Sequence, residues 1–494
     1  MKGTGYEFTM DRTGQDRTGQ DRTGQDRTGQ DRTGQDRTGQ DRTGQDRTGQ
    51  DRTKVYLPVI LLALLIIARL FSVISMKNHI YIDEATRCGL AKLIALDSQR
   101  PLAGAFYDFF NRTLGLPVMF IKTDQGFAKG TYFYMAALWI KLFGFSILKL
   151  RLLSQLMTII GILLTGLSIR RLFSRQLAFF YCLAGLSLPW SIQQGNMIWD
   201  NTFVPFYFSI SFLGLSYALT SVSKKDLRYS INLFLIPTGV ILAAYTYNGA
   251  LLVAIVAYLF FLAALLFSTK INVSSLVILC LYPFFLSLPL FHFILVGDTR
   301  GLSVLAFDSL IHLLQQLLRL YDFSFLFLTG DGILRHSTGR FGMIGLGLLI
   351  PLLIGLLSYL KMIQERKFQD KFMLLSFSLV LILIVNLTAA LAESTPFPHA
   401  LRSGASQIFY PILIACGAVR LMSWFDNHQN VFFKIITLLA LIGYLSFTAF
   451  YYYDLVVDYP VRARRYFSPL EGTEADGTPK TSNYYYIRYL YGYE

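Results

Sequence analysis

Charge is what this sequence has least of. Only 15% of its 494 residues are Asp, Glu, Lys or Arg, whereas a soluble domain carries about a quarter. Cysteine is almost as scarce. Cys88, Cys182, Cys280 and Cys416 stand singly, three of them inside apolar runs, with no CxxC or other metal spacing. That pattern excludes a disulfide framework and a zinc-finger-like site. Also missing is any soluble segment of Rossmann type that would hold a nucleotide. No cleavable signal peptide is visible, so the first apolar run is expected to act as the targeting signal. The net charge of +14 comes mainly from Lys and Arg in short loops, the pattern of membrane topology rather than of a nucleic-acid partner.

What is abundant is apolar sequence: 53% hydrophobic residues and a mean hydropathy of +0.44. Runs of about 20 apolar residues recur from Val55 to Tyr452, each long enough for a hydrocarbon core of roughly 30 Å. They are continuous rather than alternating, which makes them helices and not barrel strands. The expected fold is therefore all-α and multi-pass in the plasma (inner) membrane, with about eleven transmembrane helices. The spans fall near 55–75, 149–169, 177–192, 202–220, 231–248, 250–268, 275–295, 342–360, 373–391, 403–420 and 434–452. Their centres read as almost free of ionisable residues.

Ahead of the spans, residues 11–50 are eight copies of Asp-Arg-Thr-Gly-Gln, with a partial copy at 51–53. A repeat without apolar side chains cannot offset the entropy of ordering, so residues 1–54 are expected to form a disordered cytoplasmic tail. The layout is then this tail, a membrane domain over 55–455, and a C-terminal tail over 456–494.

Basic residues orient the bundle. With the N-terminus cytoplasmic, Arg170, Arg171 and Arg175, then Lys224, Lys225 and Arg228, then Lys270, then Lys361, Arg366, Lys367 and Lys371 all fall inside, as the positive-inside bias requires. That places outside the long loops 76–148 and 296–341, the loop 193–201, the turn 392–402 and the C-terminal tail. Loops this long are uncommon without a function.

Polar groups gather just beyond these external span ends. Asp83 and Glu84 follow span 1 and precede a short interfacial helix over 84–97, with Ala91, Ile94 and Ala95 able to face lipid. A carboxylate near apolar surroundings can act as a base; alternatively Asp83 caps that helix and Glu84 favours its dipole. Lys129 can meet a phosphate or snorkel to head groups. Asp200 follows Trp199 at the start of a span, as a second acid or as a cap beside an interfacial Trp. Arg335, His336 and Arg340, in a loop that also carries Gly330, Gly332 and Gly339, suit a phosphate cradle, and His399 and Arg402 add to it; the alternative is lipid head-group anchoring.

The Asp83-Glu84 pair, Lys129 before the Tyr-rich segment 132–134, and the runs Phe143-Gly144-Phe145-Ser146 and Leu150-Arg151-Leu152-Leu153-Ser154 resemble the GT-C superfamily of membrane glycosyltransferases. The likeness is to bacterial relatives of the protein O-mannosyltransferases and of the lipid A aminoarabinose transferase, over roughly 55–455. Where that family carries Glu-Lys-Pro-Pro, this chain has Ala128-Lys129-Gly130-Thr131. The resemblance implies transfer of a sugar from a polyprenyl-phosphate donor to a protein, glycan or lipid acceptor at the extracytoplasmic face; a single displacement at the anomeric carbon would proceed with inversion. Asp83 would be the general base and Asp200 the second acid. Lys129 would match the family's phosphate-handling Lys; from their composition and external position alone, Arg335, His336, Arg340, His399 and Arg402 are further candidates to meet the donor phosphate. Glu84 would orient Asp83 or share a divalent metal with it. The alternatives are a lipid-linked sugar flippase or transporter, which needs polar groups across the bilayer, and a scaffold that binds through the long loops and Tyr-rich tail.

Overall fold

The computed structural model describes residues 46–76, 79–95, 120–123, 126–221, 227–268, 271–296, 309–366, 370–392, 397–427, 430–464 and 467–469. The repeat tail to residue 45, much of the first loop and Tyr484–Tyr486 lie outside them. The protein is a multi-pass all-α bundle. Ten helices among the described residues are long and apolar enough to cross a membrane. The first, α1 (Asp46–Ser72), already begins within the repeat, as helix propagates cheaply from a nucleated apolar run.

After α1 come α2 (Ile82–Ala95), α3 (Thr131–Phe143), α4 (Ile147–Leu172), α5 (Arg175–Ser187), α6 (Pro189–Gly195), α7 (Val204–Thr220), α8 (Leu227–Ala244), α9 (Ala250–Ser268) and α10 (Val273–Val296). Then follow α11 (Leu310–Arg319), α12 (Leu349–Gln364), α13 (Asp370–Leu391), α14 (Tyr410–Asn427), α15 (Val431–Tyr453) and α16 (Tyr459–Ala463). Helix α4 packs on α5 and α7, α7 on α8, and α14 on α5 and α12. Small residues allow the closest crossing. A Cβ on Gly417 would lie 1.8 Å from the Pro351 carbonyl oxygen, and one on Gly355 would lie 2.1 Å from that of Leu413. Any side chain there would drive α12 and α14 apart.

The segment expected as a single span at 177–192 is two helices. Leu188 is extended (φ −65°, ψ 118°) between α5 and α6. Pro189 disfavours helical geometry at the residue before it and starts a new helix at its own position. Arg69 closes the break. Its guanidinium donates five hydrogen bonds, to Gln155 Oε1 twice, to Gly185 O, and to Ser191 Oγ and O. Backbone freed at a helix break must find partners inside a bilayer. Arg69 and Arg151, toward the ends of their spanning helices, are both 0% exposed.

Helix α2 lies against α3 along Ala85, Cys88, Ala91 and Ala95, all buried. This corrects the expectation that Ala91 and Ala95 face lipid: the small-residue stripe seats the helix on protein. Helix α11 has no buried residue and exposes Leu310, Ile311, Leu314 and Leu318, the form of a helix lying in the interface. At the far end, α15 runs through a wide turn at Asp454–Asp458 into α16, so the helix continues past residue 456, where the tail was expected to begin. Strand β1 (His79–Ile80) pairs antiparallel with β4 (Ser468–Pro469), and β2 (Phe120–Thr123) with β3 (Gly126–Lys129).

Candidate functional site

Four segments meet at one end of the bundle: the start of α2, the chain after α6, the loop 330–340 and the turn 399–402. The first is fixed by Glu84. Its carboxylate accepts from Arg151 Nη2 at 2.6 Å and Nε at 2.9 Å, from Ile198 N at 3.0 Å, and from Tyr81 N at 3.1 Å. The Tyr81 bond is the returning half of a capping box, the third helical residue reaching back to the cap N–H. The other bonds tie α2 to α4 and to the segment that leads into Asp200. Both side chains of the Glu84–Arg151 pair are 0% exposed. With its oxygens occupied by N–H donors, Glu84 fastens the start of α2.

Asp83, one position earlier, points elsewhere and keeps 31% of its side chain exposed, with Arg335 Nη1 3.9 Å from Oδ2. Burial pushes its pKa up; Arg87 opposes that shift, and Asp200 adds to it. Arg87, one turn further along α2, donates to the Asp83 backbone oxygen and to Asp200 Oδ1, each at 3.1 Å. Asp200 opens a tight turn before α7 after Trp199 as its cap residue, and Asn201 N donates to its Oδ1. Trp199 is 1% exposed, so it is a core residue here and not an interfacial anchor.

Gly330 (φ +77°) and Gly339 (φ +76°) bound the third segment in the left-handed region that glycine tolerates. Between them Asp331 accepts from Ile333 N at 2.9 Å and from Ala400 N at 2.7 Å. Its Oδ2 is also 2.7 Å from His336 Nδ1, while Arg335 Nε donates to His336 Nε2 at 2.8 Å. Arg335 also lies over the Tyr81 ring, 4.2 Å from its centroid. The His336 ring packs on His399 with centroids 4.4 Å apart and on Trp199 at 5.2 Å. Burial lowers the pKa of both histidines, that of His399 to about 3, and so favours their neutral forms. The turn is secured through the Ala400 carbonyl, which accepts from Trp190 Nε1 at 3.0 Å and Gln194 Nε2 at 3.1 Å.

Among the described residues, Asp331, His336 and His399 form the one cluster of three potential metal-ligating side chains, with one ligand atom from each lying within 4.8 Å of the others. Both His336 nitrogens are already engaged. Several buried polar atoms around the site have no hydrogen-bond partner, including Arg87 Nε, Trp199 Nε1, Asn201 Oδ1 and His399 Nδ1.

The other expected cations sit differently. Lys129 is buried at 5% exposure and donates to the carbonyls of Ala244 and Tyr247 at the end of α8. Burial lowers its pKa to about 7, with Asp200 acting in the opposite direction. Arg402 donates to the Ala392 carbonyl. Arg340 is drawn to Asp458 at 2.8 Å and Asp454 at 3.4 Å, on the side of the C-terminal helix.

Three participants escaped the sequence reading: Arg87, Asp331 and the role of Arg151. Arg87 was readable from its i, i+4 spacing to Asp83. Arg151 stood within a quoted motif without a partner, and its pairing across 67 residues is a tertiary fact.

No protein-family model matches the chain, and no curated protein matches it in sequence. Among solved structures it is similar to ArnT from Cupriavidus metallidurans bound to undecaprenyl phosphate, with 11% identity, 88% of this chain and 77% of that chain covered, and a TM-score of 0.46. It is also similar to the archaeal oligosaccharyltransferase AglB from Archaeoglobus fulgidus in complex with an inhibitory peptide and a dolichol-phosphate. There the identity is 12%, the coverage 88% of this chain and 60% of that chain, and the TM-score 0.49. Likenesses with TM-scores this low decide nothing about activity, which has to be sought in the residues of the site.

Proposed function

We propose that this protein transfers a sugar from a polyprenyl-phosphate carrier to an acceptor hydroxyl or amide at the extracytoplasmic end of the bundle. The observation that carries the reading is Asp83: a partly exposed carboxylate with a raised pKa, faced by Arg335 at 3.9 Å, beyond the end of a membrane-spanning helix. A base and a cation side by side are what a displacement at an anomeric carbon needs, one for the incoming proton and one for the outgoing phosphate. The sequence resemblance to the GT-C superfamily independently selects the same acid.

In the proposed step Asp83 takes the acceptor proton while the acceptor atom bonds to the anomeric carbon. The bond from that carbon to the phosphate oxygen breaks, its electron pair leaves with the carrier phosphate, and the configuration inverts. Arg335 meets the new phosphate charge. Lys129 flanks the site from the Asp200 side, and the Arg87–Asp200 pair holds the second acid in place. His336, His399, Arg340 and Arg402 border the same end of the bundle without occupying equivalent positions. The flippase reading receives less support. Arg69, Arg151 and Gln155, three of the buried polar side chains of the spans, are engaged by protein partners.

The test is a transfer assay with purified protein in liposomes, offering labelled polyprenyl-phosphate sugars and a cell-envelope extract. Label should move with wild type and not with Asp83→Asn. Near-normal transfer by the variant would sink the assignment, and movement of labelled lipid between leaflets without transfer would favour the flippase.

A further inference from the structure

His336 is wired at both ends. Arg335 Nε–H points into Nε2, so that nitrogen carries the lone pair, and the ring proton belongs on Nδ1, directed at Asp331 Oδ2. The hydrogen bond made by one ring nitrogen sets the state of the other. Asp331 is itself immobilised by two backbone N–H groups, one of them from the turn that follows His399. Asp331 and His336 are 1% and 0% exposed, and the ring lies between His399 and Trp199. A neutral imidazole with both nitrogens engaged has no N–H left to give a phosphate. What it controls is the direction of the guanidinium beyond it.

We propose that Asp331 and His336 are positioning residues: they form a buried hydrogen-bonded arm that fixes Arg335 beside Asp83 as the cation for the carrier phosphate. This rests on the transferase reading and narrows it, because His336 then acts through Arg335 and not on the lipid. The arm also explains why the loop 330–340 and the turn 399–402 must fold together, since the Asp331 carboxylate belongs to one and its Ala400 N–H donor to the other. Arginine loses rotamer freedom when it binds an anion. An arm that has already removed that freedom strengthens the contact without adding one.

The test measures binding of undecaprenyl phosphate to the purified full chain in detergent, with thermal melting as a control on folding. Arg335→Gln and Asp331→Asn should each weaken binding about 10- to 100-fold, the loss of a charge-assisted contact. The double variant should bind no more weakly than Arg335→Gln alone, because Asp331 contributes only through Arg335. His336→Gln, which keeps an acceptor for Arg335, should bind more tightly than His336→Ala even if Asp331→Asn fails to fold. Losses that multiply in the double variant, or unchanged binding in Asp331→Asn, overturn the arm. One equivalent of zinc in the wild type, lost in His399→Ala, also overturns it by putting an ion where the Nδ1 proton should be. Wild type that binds no polyprenyl phosphate removes the donor reading itself, a result distinct from one in which only the variants depart from expectation.

Discussion

Asp83 and Glu84 share the first turn of α2, yet Glu84 is 0% exposed and accepts four hydrogen bonds, while Asp83 keeps 31% of its side chain exposed. Successive residues on a helix point about 100° apart, so one turn can send one acid inward and its neighbour toward the surface. The inward acid ties α2 to α4 and to the segment before α7. The outward acid inherits a fixed position from that lock and retains a carboxylate free to titrate. On the proposed reading, the pair of acids divides into a fastening and a working group.

The comparison breaks most severely at the fastening. Glu84→Ala takes the carboxylate away from the buried Arg151 guanidinium, and removing one member of a buried pair costs about 3–5 kcal/mol. The expected result is poor recovery of folded protein, or a large drop in melting temperature, with activity lost as a consequence. Replacing both partners by methionine should recover part of that stability. Normal melting of Glu84→Ala would show that the lock has been misread.

Asp83→Asn should do the opposite. Melting stays close to wild type, because the side chain is partly exposed and the helix is held by Glu84. Transfer falls by about 10²- to 10⁴-fold, the range for loss of a general base. Melting and transfer curves measured on both variants set the two acids apart; equal destabilisation of both would erase the distinction.

The same contrast runs between what could and could not be read from sequence. The spans were legible because a bilayer requires about 20 apolar residues in a row, and one Arg69 among leucines does not disturb such a run. Its partners lie on α4 and around the break at Leu188, which only the fold brings together. Asp83, Asp200, Arg335 and His399 stood out as polar groups beyond span ends. Which of them would meet did not: Arg335 approaches Asp83 across more than 250 residues, and the arm from Asp331 depends on a hydrogen bond from Ala400. Nothing local distinguished Arg335 from Arg340, five positions away, although their surroundings differ completely.

A smaller effect concerns pH. Lys129, with its pKa lowered by burial to about 7, is an ammonium below that pH and an amine above it. If its charge assists the carrier phosphate, kcat/KM should fall as pH rises through about 7, while the raised pKa of Asp83 limits activity on the acid side. Lys129→Met should lower the plateau and remove the alkaline fall, leaving the acid limb in place. An alkaline limb that persists in the variant would assign it to another group.

The smallest expected effect separates the two arginines of one loop. Arg335 is held at 18% side-chain exposure facing Asp83, whereas Arg340 is 54% exposed and bridges Asp454 and Asp458. An exposed bridge contributes about 0–1 kcal/mol, and Asp454 retains two bonds from Arg462 at 2.8 Å in its absence. Arg340→Ala should therefore shift melting only slightly and leave the affinity for undecaprenyl phosphate as it is, while Arg335→Gln weakens that affinity. Loss of lipid binding in Arg340→Ala would mean that the loop swings toward the phosphate when the donor arrives, and that the carboxylates at 454 and 458 are a resting place for Arg340 and not its working position.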